Sequence, residues 1–171
     1  MIIFHYRDAK QQDCVVITAI EMDAGEALRA YGLDHVADLP VDPAAYLIGL
    51  EKECLLLVAC DAADKPVGFA FVKPIDGQAH LKEISVSRRF MRQGIGKKLL
   101  SLSEKWAKDQ GFQKITLTTY EFIPFNAPFY QAMGYSIFSP AKGWPSLLET
   151  RQQEKAHGLD VQPRVCMYKN L

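Results

Sequence analysis

The sequence predicts an α+β fold, a central mixed and mostly antiparallel sheet with one parallel strand pair, flanked by helices. Three observations lead there. Residues 54–60, 67–75 and 78–86 are apolar, β-prone runs joined by tight turns, which is an antiparallel meander. Residues 78–120 then read as strand, glycine-bearing loop, amphipathic helix and strand, the unit that lays two strands parallel. The length of 171 residues, 49% of them hydrophobic, suits one domain over residues 1–171 with its own core.

The elements follow in order. Residues 1–6 are short, apolar and β-prone and read as a first strand. Asp8 stands where it can cap a helix running from Ala9 toward Ala30, with Gly25 dividing it. Residues 33–39 read as loop. Asp42-Pro43 is a helix start, a cap followed by proline in the first turn, leading into residues 44–53. The run CLLLVAC at 54–60 predicts a strand buried on both faces. Asp76-Gly77 is a hairpin signal that hands the chain to the strand at 78–86. Ile95, Leu99, Leu102 and Trp106 recur at helical steps, and Gln110-Gly111 stops that helix. Residues 114–120 are the next strand, parallel to 78–86. Asn126 between Pro124 and Pro128 opens a short helix bearing Phe129, Tyr130 and Met133, and residues 135–138 begin another strand. In the tail, 147–157 is helical with Glu149, Arg151, Glu154 and Lys155 on its polar side. Residues 164–168 form a last strand beside 135–138.

Charge and composition exclude several classes. Twenty basic and twenty acidic residues cancel, which argues against a general nucleic-acid binder. No apolar run reaches membrane-spanning length, and MIIFHYRDAK turns charged too soon for a secretory signal. Cys14, Cys54, Cys60 and Cys166 make no metal-ligand spacing, so no metal is expected and the thiols are read as reduced, in cytoplasm. The oligomeric state is left as monomer or homodimer.

The most informative stretch is HLKEISVSRRFMRQGIGKKLL, residues 80–100. A strand passing through a glycine-bearing turn into a helix presents free amides at the positive end of the helix dipole, a site suited to phosphate. Gly94 and Gly96 let an anion approach, and Arg88, Arg89, Arg92, Lys97 and Lys98 surround them with positive charge. A dinucleotide fingerprint would need a third glycine where Leu99 stands, and a P-loop needs four residues between its glycines. What remains resembles motif A of the GNAT superfamily of acyl-CoA-dependent N-acyltransferases, Arg/Gln-x-x-Gly-x-Gly/Ala, with Met91 in place of the first residue. Downstream, EFIPFNAPFYQAMGY resembles motif B of the same superfamily, with Asn126, Tyr130, Gly134 and Tyr135 in its places. One strand and one helix separate the motifs, as the family requires.

That resemblance implies an acetyltransferase using acetyl-CoA as cosubstrate, with the parallel pair splayed to admit the pantetheine arm. It implies that the backbone of Ile84, Ser85 and Val86 pairs with the arm. The loop of Met91, Arg92, Gln93, Gly94, Ile95, Gly96 and Lys97 would then wrap the pyrophosphate. Asn126 would bond the arm or cap its own helix. Tyr130 matches the tyrosine that protonates the departing sulfur, and phenols carry their proton at neutral pH. Acyl transfer also needs a base for the attacking amine. Glu83, among Leu81, Ile84 and Val86, is the first candidate, since a carboxylate in apolar surroundings gains proton affinity. A salt-bridged surface glutamate is the alternative. His80, which strand alternation puts on the face of Val86, and His35 rank second. The expected reaction is direct attack by a small primary amine, with residues 31–40 and 140–145 as acceptor loops. A protein lysine or N-terminal acceptor, or a non-catalytic acyl-CoA-binding module on the same fold, are the alternatives.

Overall fold

The computed structural model describes residues 3–171; Met1 and Ile2 of the expected first strand lie outside the described residues. Seven strands, β1 (His5–Asp8), β2 (Leu55–Cys60), β3 (Pro66–Ile75), β4 (Gln78–Val86), β5 (Lys114–Tyr120), β6 (Ser136–Phe138) and β7 (Arg164–Asn170), form one sheet. Its order is β1-β2-β3-β4-β5-β7-β6. β4 and β5 are the parallel pair, with Ala79 opposite Ile115 and His80 opposite Thr116 at the start of both strands. The chain divides into two compact units, residues 1–73 with 81–106 and residues 74–80 with 107–171.

In the first unit, β2 is buried along its whole length, as its unbroken apolar run requires. It pairs antiparallel with β1 and with β3, and a bulge at Ala59/Cys60 shifts the register with β3. Helix α1 (Cys14–Gly25) lays Cys14, Ile17 and Ile20 on a core that also holds Tyr46, Leu56, Val58, Phe69 and Phe71. Each such apolar side chain taken from water contributes about 1.5–3 kcal/mol before entropy is counted. The start of α1 departs from the expected cap at Asp8. A 3₁₀ turn, Gln11–Asp13, intervenes, and the Asp13 carboxylate accepts from the Lys10 amide at 2.8 Å and from Arg7 at 2.7 Å. Asp13 wins because it bonds a free amide and an arginine together. Gly25 does end the α-helical part, and the chain continues as a 3₁₀ helix, Glu26–Tyr31. The expected loop at 33–39 contains a one-turn helix, α2 (Asp34–Ala37), anchored by fully buried Leu33. Asp42 caps the next segment through the Ala44 amide at 2.9 Å, but that segment, Pro43–Leu50, is 3₁₀ rather than α.

In the second unit, β7 pairs antiparallel with β5 and with β6. Helices α4 (Ala127–Ala132) and α5 (Pro145–Ala156) belong here; α3 (Ile95–Asp109) carries the chain from the first unit into the second. Asp76, from the Asp76-Gly77 turn, caps α5 from outside, accepting from the amides of Ser146 and Leu147 at 2.9 Å each. Leu147 packs with Ile75 and Cys166, and Phe138 and Trp144 lie against them. Glu154, expected on the polar side of α5, is buried. It accepts from Thr118, Arg151 and Arg164. The helix face that carries it meets strand residues offering donors, which is how an interior carboxylate is retained.

Candidate active site

From β4 the chain runs through Ser87 and a 3₁₀ turn, Arg88–Phe90, into the glycine loop and α3. Arg92 and Gly94 both take the left-handed conformation, at φ +60° and +80°. A side chain at 94 would therefore be strained whatever space surrounds it. Lys98 N bonds Gly94 O at 3.0 Å, so the amides of Gly94, Ile95, Gly96 and Lys97 precede the helical ladder. A Cβ built on Gly96 would meet only Val86 Cγ2, at 3.8 Å, so glycine there leaves open space rather than relieving a clash. Gln93 and Lys97 are exposed and Met91 partly buried. Ile95 turns inward as the first core residue of α3, with Leu99 and Leu100.

Two residues outside the motifs shape this loop. Gly68 on β3 leaves little room for a side chain. A Cβ there would stand 3.1 Å from Ser85 O, 3.2 Å from Val86 Cγ2 and 3.3 Å from Ile95 Cγ2. Asp23 on α1 accepts from Ser87 Oγ and Arg88 N at 2.7 Å each, and from Arg88 Nε at 2.9 Å. Arg88, expected among the cations around the phosphate site, is thus paired with Asp23.

Glu83 sits partly buried on β4, its Oε1 accepting from Ser85 Oγ at 2.9 Å and Ile84 N at 3.2 Å. Burial first, and then the charge of Glu21, push its carboxyl up to about 8, against smaller pulls from Ser85, Lys82 and Ile84 N. Glu21 on α1 is itself raised by burial, although the hydroxyl of Tyr46 donates to it. Tyr46 is held edge-on to Phe69 at 5.1 Å in the core. A carboxyl in this state holds a proton near neutrality and can also release it, which suits general-base work.

The second unit carries the motif B residues. Tyr130 is buried, its ring edge-on to Phe129 at 5.2 Å and to Tyr135 at 5.6 Å. Asn126 does not cap α4 with its side chain. Its Nδ2 donates to Thr119 Oγ1 at 2.7 Å, while Oδ1 is buried without a partner. His80 is buried with Nδ1 at 2.9 Å from Thr116 Oγ1, the setting of a packed histidine. His35 is exposed on α2. Glu83 and the glycine loop thus fall in the first unit, and Asn126 and Tyr130 in the second.

Sequence spacing shows no metal set, yet folding brings His5, Cys60 and Asp64 together, their ligand atoms within 4.8 Å of one another. Arg7 Nε already bonds the Asp64 carboxylate at 2.7 Å, and Lys10 lies 3.8 Å from it, so positive charge is supplied there by the chain itself. Among the described residues no helix is long and apolar enough to cross a membrane.

Solved structures share this architecture. A PaiA N-acetyltransferase from Thermoplasma acidophilum, in complex with coenzyme A, superposes with a TM-score of 0.71 at 17% identity, covering 99% of each chain. The ribosomal-protein-S18-alanine N-acetyltransferase from Escherichia coli gives 0.71 at 14% identity, covering 98% of this chain and 94% of that one. These likenesses establish the fold. In sequence, N-alpha-acetyltransferase 80 of Mus musculus is 29% identical over 97 residues, which is 53% of this chain but only 30% of that longer protein. The family model of the GNAT acetyltransferases matches residues 11–135, from the first helical turn through motif B, and the chain therefore belongs to the acetyltransferase (GNAT) family, acetyl-CoA-dependent acyltransferases.

Proposed function

We propose that residues 1–171 act as one N-acetyltransferase domain that moves an acetyl group from acetyl-CoA to a small-molecule primary amine by direct attack. The observation that carries this reading is Glu83, whose carboxyl is pushed up to about 8 one residue before the strand backbone of Ile84, Ser85 and Val86. Acetyl-CoA supplies a thioester, an acyl group already activated toward amines. The chain fits it: the amides of Gly94 to Lys97 suit its pyrophosphate, with Met91, Arg92 and Gln93 forming the approach to that loop. The open space at Gly96 admits close approach, and the unpartnered Oδ1 of Asn126 suits an amide N–H of the pantetheine arm.

In this reading Glu83 takes the proton from the attacking nitrogen as the N–C bond forms. Tyr130 gives its hydroxyl proton to the sulfur as the C–S bond breaks. Four free cysteines support a reducing, cytoplasmic setting. A second reading, acetylation of a protein N-terminus or lysine, draws support from two of the relatives named above, which are N-alpha and ribosomal-protein acetyltransferases. Free-thiol release from acetyl-CoA with small primary amines and with peptides tests the choice. Faster turnover per unit concentration with small amines is expected; preference for peptides would replace this reading with the second. Tight acetyl-CoA binding without turnover on any amine would leave a binding module.

A further inference from the structure

We propose that Asp23 is a positioning residue for acetyl-CoA binding: from helix α1 it fixes the start of the phosphate loop by bonding Ser87 and Arg88. The proposal rests on the reading of residues 91–97 as the cofactor loop. Chemically, the loop's value lies in amides already turned toward one point, because ordering a flexible segment at the moment of binding costs affinity. Two attachments hold its first residues. On the sheet side, Ser87 N bonds Val67 O at 2.9 Å. On the helix side, Asp23 Oδ2 accepts from both Ser87 Oγ and Arg88 N at 2.7 Å, and Oδ1 accepts from Arg88 Nε at 2.9 Å. The second attachment passes through a single carboxylate. It starts the turn in which Phe90 N bonds Ser87 O at 2.8 Å, and that turn leads to Met91 and the left-handed Arg92 and Gly94.

The charge of Asp23 is otherwise misplaced in a region meant to receive an anion. Burial favours its neutral form, but the bonds from Ser87 and Arg88 outweigh this and hold it below the ordinary carboxylate range. Arg88 is more than half exposed, so its guanidinium was free to face phosphate; it pairs with Asp23 instead. Electrostatics alone and positioning therefore predict opposite signs. Removing a negative charge beside a phosphate site, and freeing an arginine, should tighten acetyl-CoA binding. Removing the bonds that order the loop should weaken it.

The test is calorimetric titration of acetyl-CoA into wild type, Asp23→Ala, Asp23→Asn and Ser87→Ala, well below each protein's melting temperature. Positioning predicts a roughly 10-fold weaker Kd for Asp23→Ala, which loses all three bonds. Asp23→Asn keeps an acceptor for Ser87 Oγ and Arg88 N and should stay within about 3-fold of wild type, with Ser87→Ala at a similar level. In turnover, Asp23→Ala should raise the KM for acetyl-CoA while leaving kcat at saturation and the amine KM near native. Equal or tighter binding in Asp23→Ala, or equal weakening in both Asp23 variants, would overturn the proposal. Should Asp23→Ala not fold, Asp23→Asn and Ser87→Ala still decide it: slightly weaker binding in both, by up to about 3-fold, supports positioning, and equal or tighter binding in both would overturn it. If wild type itself does not bind acetyl-CoA, the cofactor-loop reading fails instead.

Discussion

The charge of Glu21 on α1 raises the proton affinity of Glu83 on β4. Burial of Glu83 is the larger cause, and Glu21 adds to it from a helix that the sequence separates from β4 by more than fifty residues.

The pH dependence of kcat/KM should report this pair. Below about 8 the Glu83 carboxyl is neutral and accepts no proton, so the rate should climb with an apparent pKa of about 8 and then level off. Glu21→Gln removes the neighbouring charge and leaves the burial, so the rising limb should move to lower pH without returning to an ordinary carboxylate's range. The check is a pH series on both proteins. A limb at the same pH in the variant would remove Glu21 from the account.

Stability should carry the same signature with a definite sign. Folded Glu83 keeps its proton to about 8, whereas the unfolded chain releases it near the ordinary 4.5. Between those values the unfolded state is favoured as pH rises. Glu83→Gln has no such proton to lose, so its stability relative to wild type should grow from acid toward alkaline pH. Melting temperatures at about pH 4 and about pH 9 provide the check, with the variant gaining at the higher value.

At the phosphate loop, Gly94→Asp places a side chain at φ +80° and a negative charge beside the free amides. Acetyl-CoA affinity should fall by about 100-fold or more, from backbone strain and repulsion together. Met91→Arg should leave affinity equal or slightly higher, since the amides do the holding. Titration of both folded variants measures this.

In the second unit, Glu154→Ala should cost about 3–5 kcal/mol in urea unfolding, because it strips the carboxylate from the part-buried Arg151 and Arg164. Glu154→Gln keeps an acceptor for Thr118 and should cost less.

Much of this was legible in the chain and some was not. The apolar run of β2, the Asp76-Gly77 turn, the limits of β5 and the pattern of α3 all announce themselves, since each depends on neighbours in sequence. The residues around the glycine loop were harder. Gly68 looks like any strand glycine until β4 and α3 close on it, and Glu21 and Asp23 look like a helix's polar residues until Tyr46, Ser87 and Arg88 meet them. Tertiary pairing of this kind leaves no local pattern. The cap at Asp8 and the loop at 33–39 were misread for a related reason: Arg7 and buried Leu33 decide those stretches by what they touch. Glu154 likewise reads as surface until Thr118 and Arg164 face it.

The central claim is acetyl transfer with a proton given to the leaving sulfur by Tyr130. Steady-state thiol release by wild type and Tyr130→Phe, with the best small amine, measures it beside calorimetric binding of acetyl-CoA. The variant keeps the ring that packs on Phe129 and Tyr135 and removes one hydroxyl. Turnover should fall by about 10²–10⁴-fold, the usual contribution of a positioned general acid, with acetyl-CoA affinity changed by less than about 3-fold. Equal turnover in the two proteins would contradict the account and return Tyr130 to the core as a packing residue.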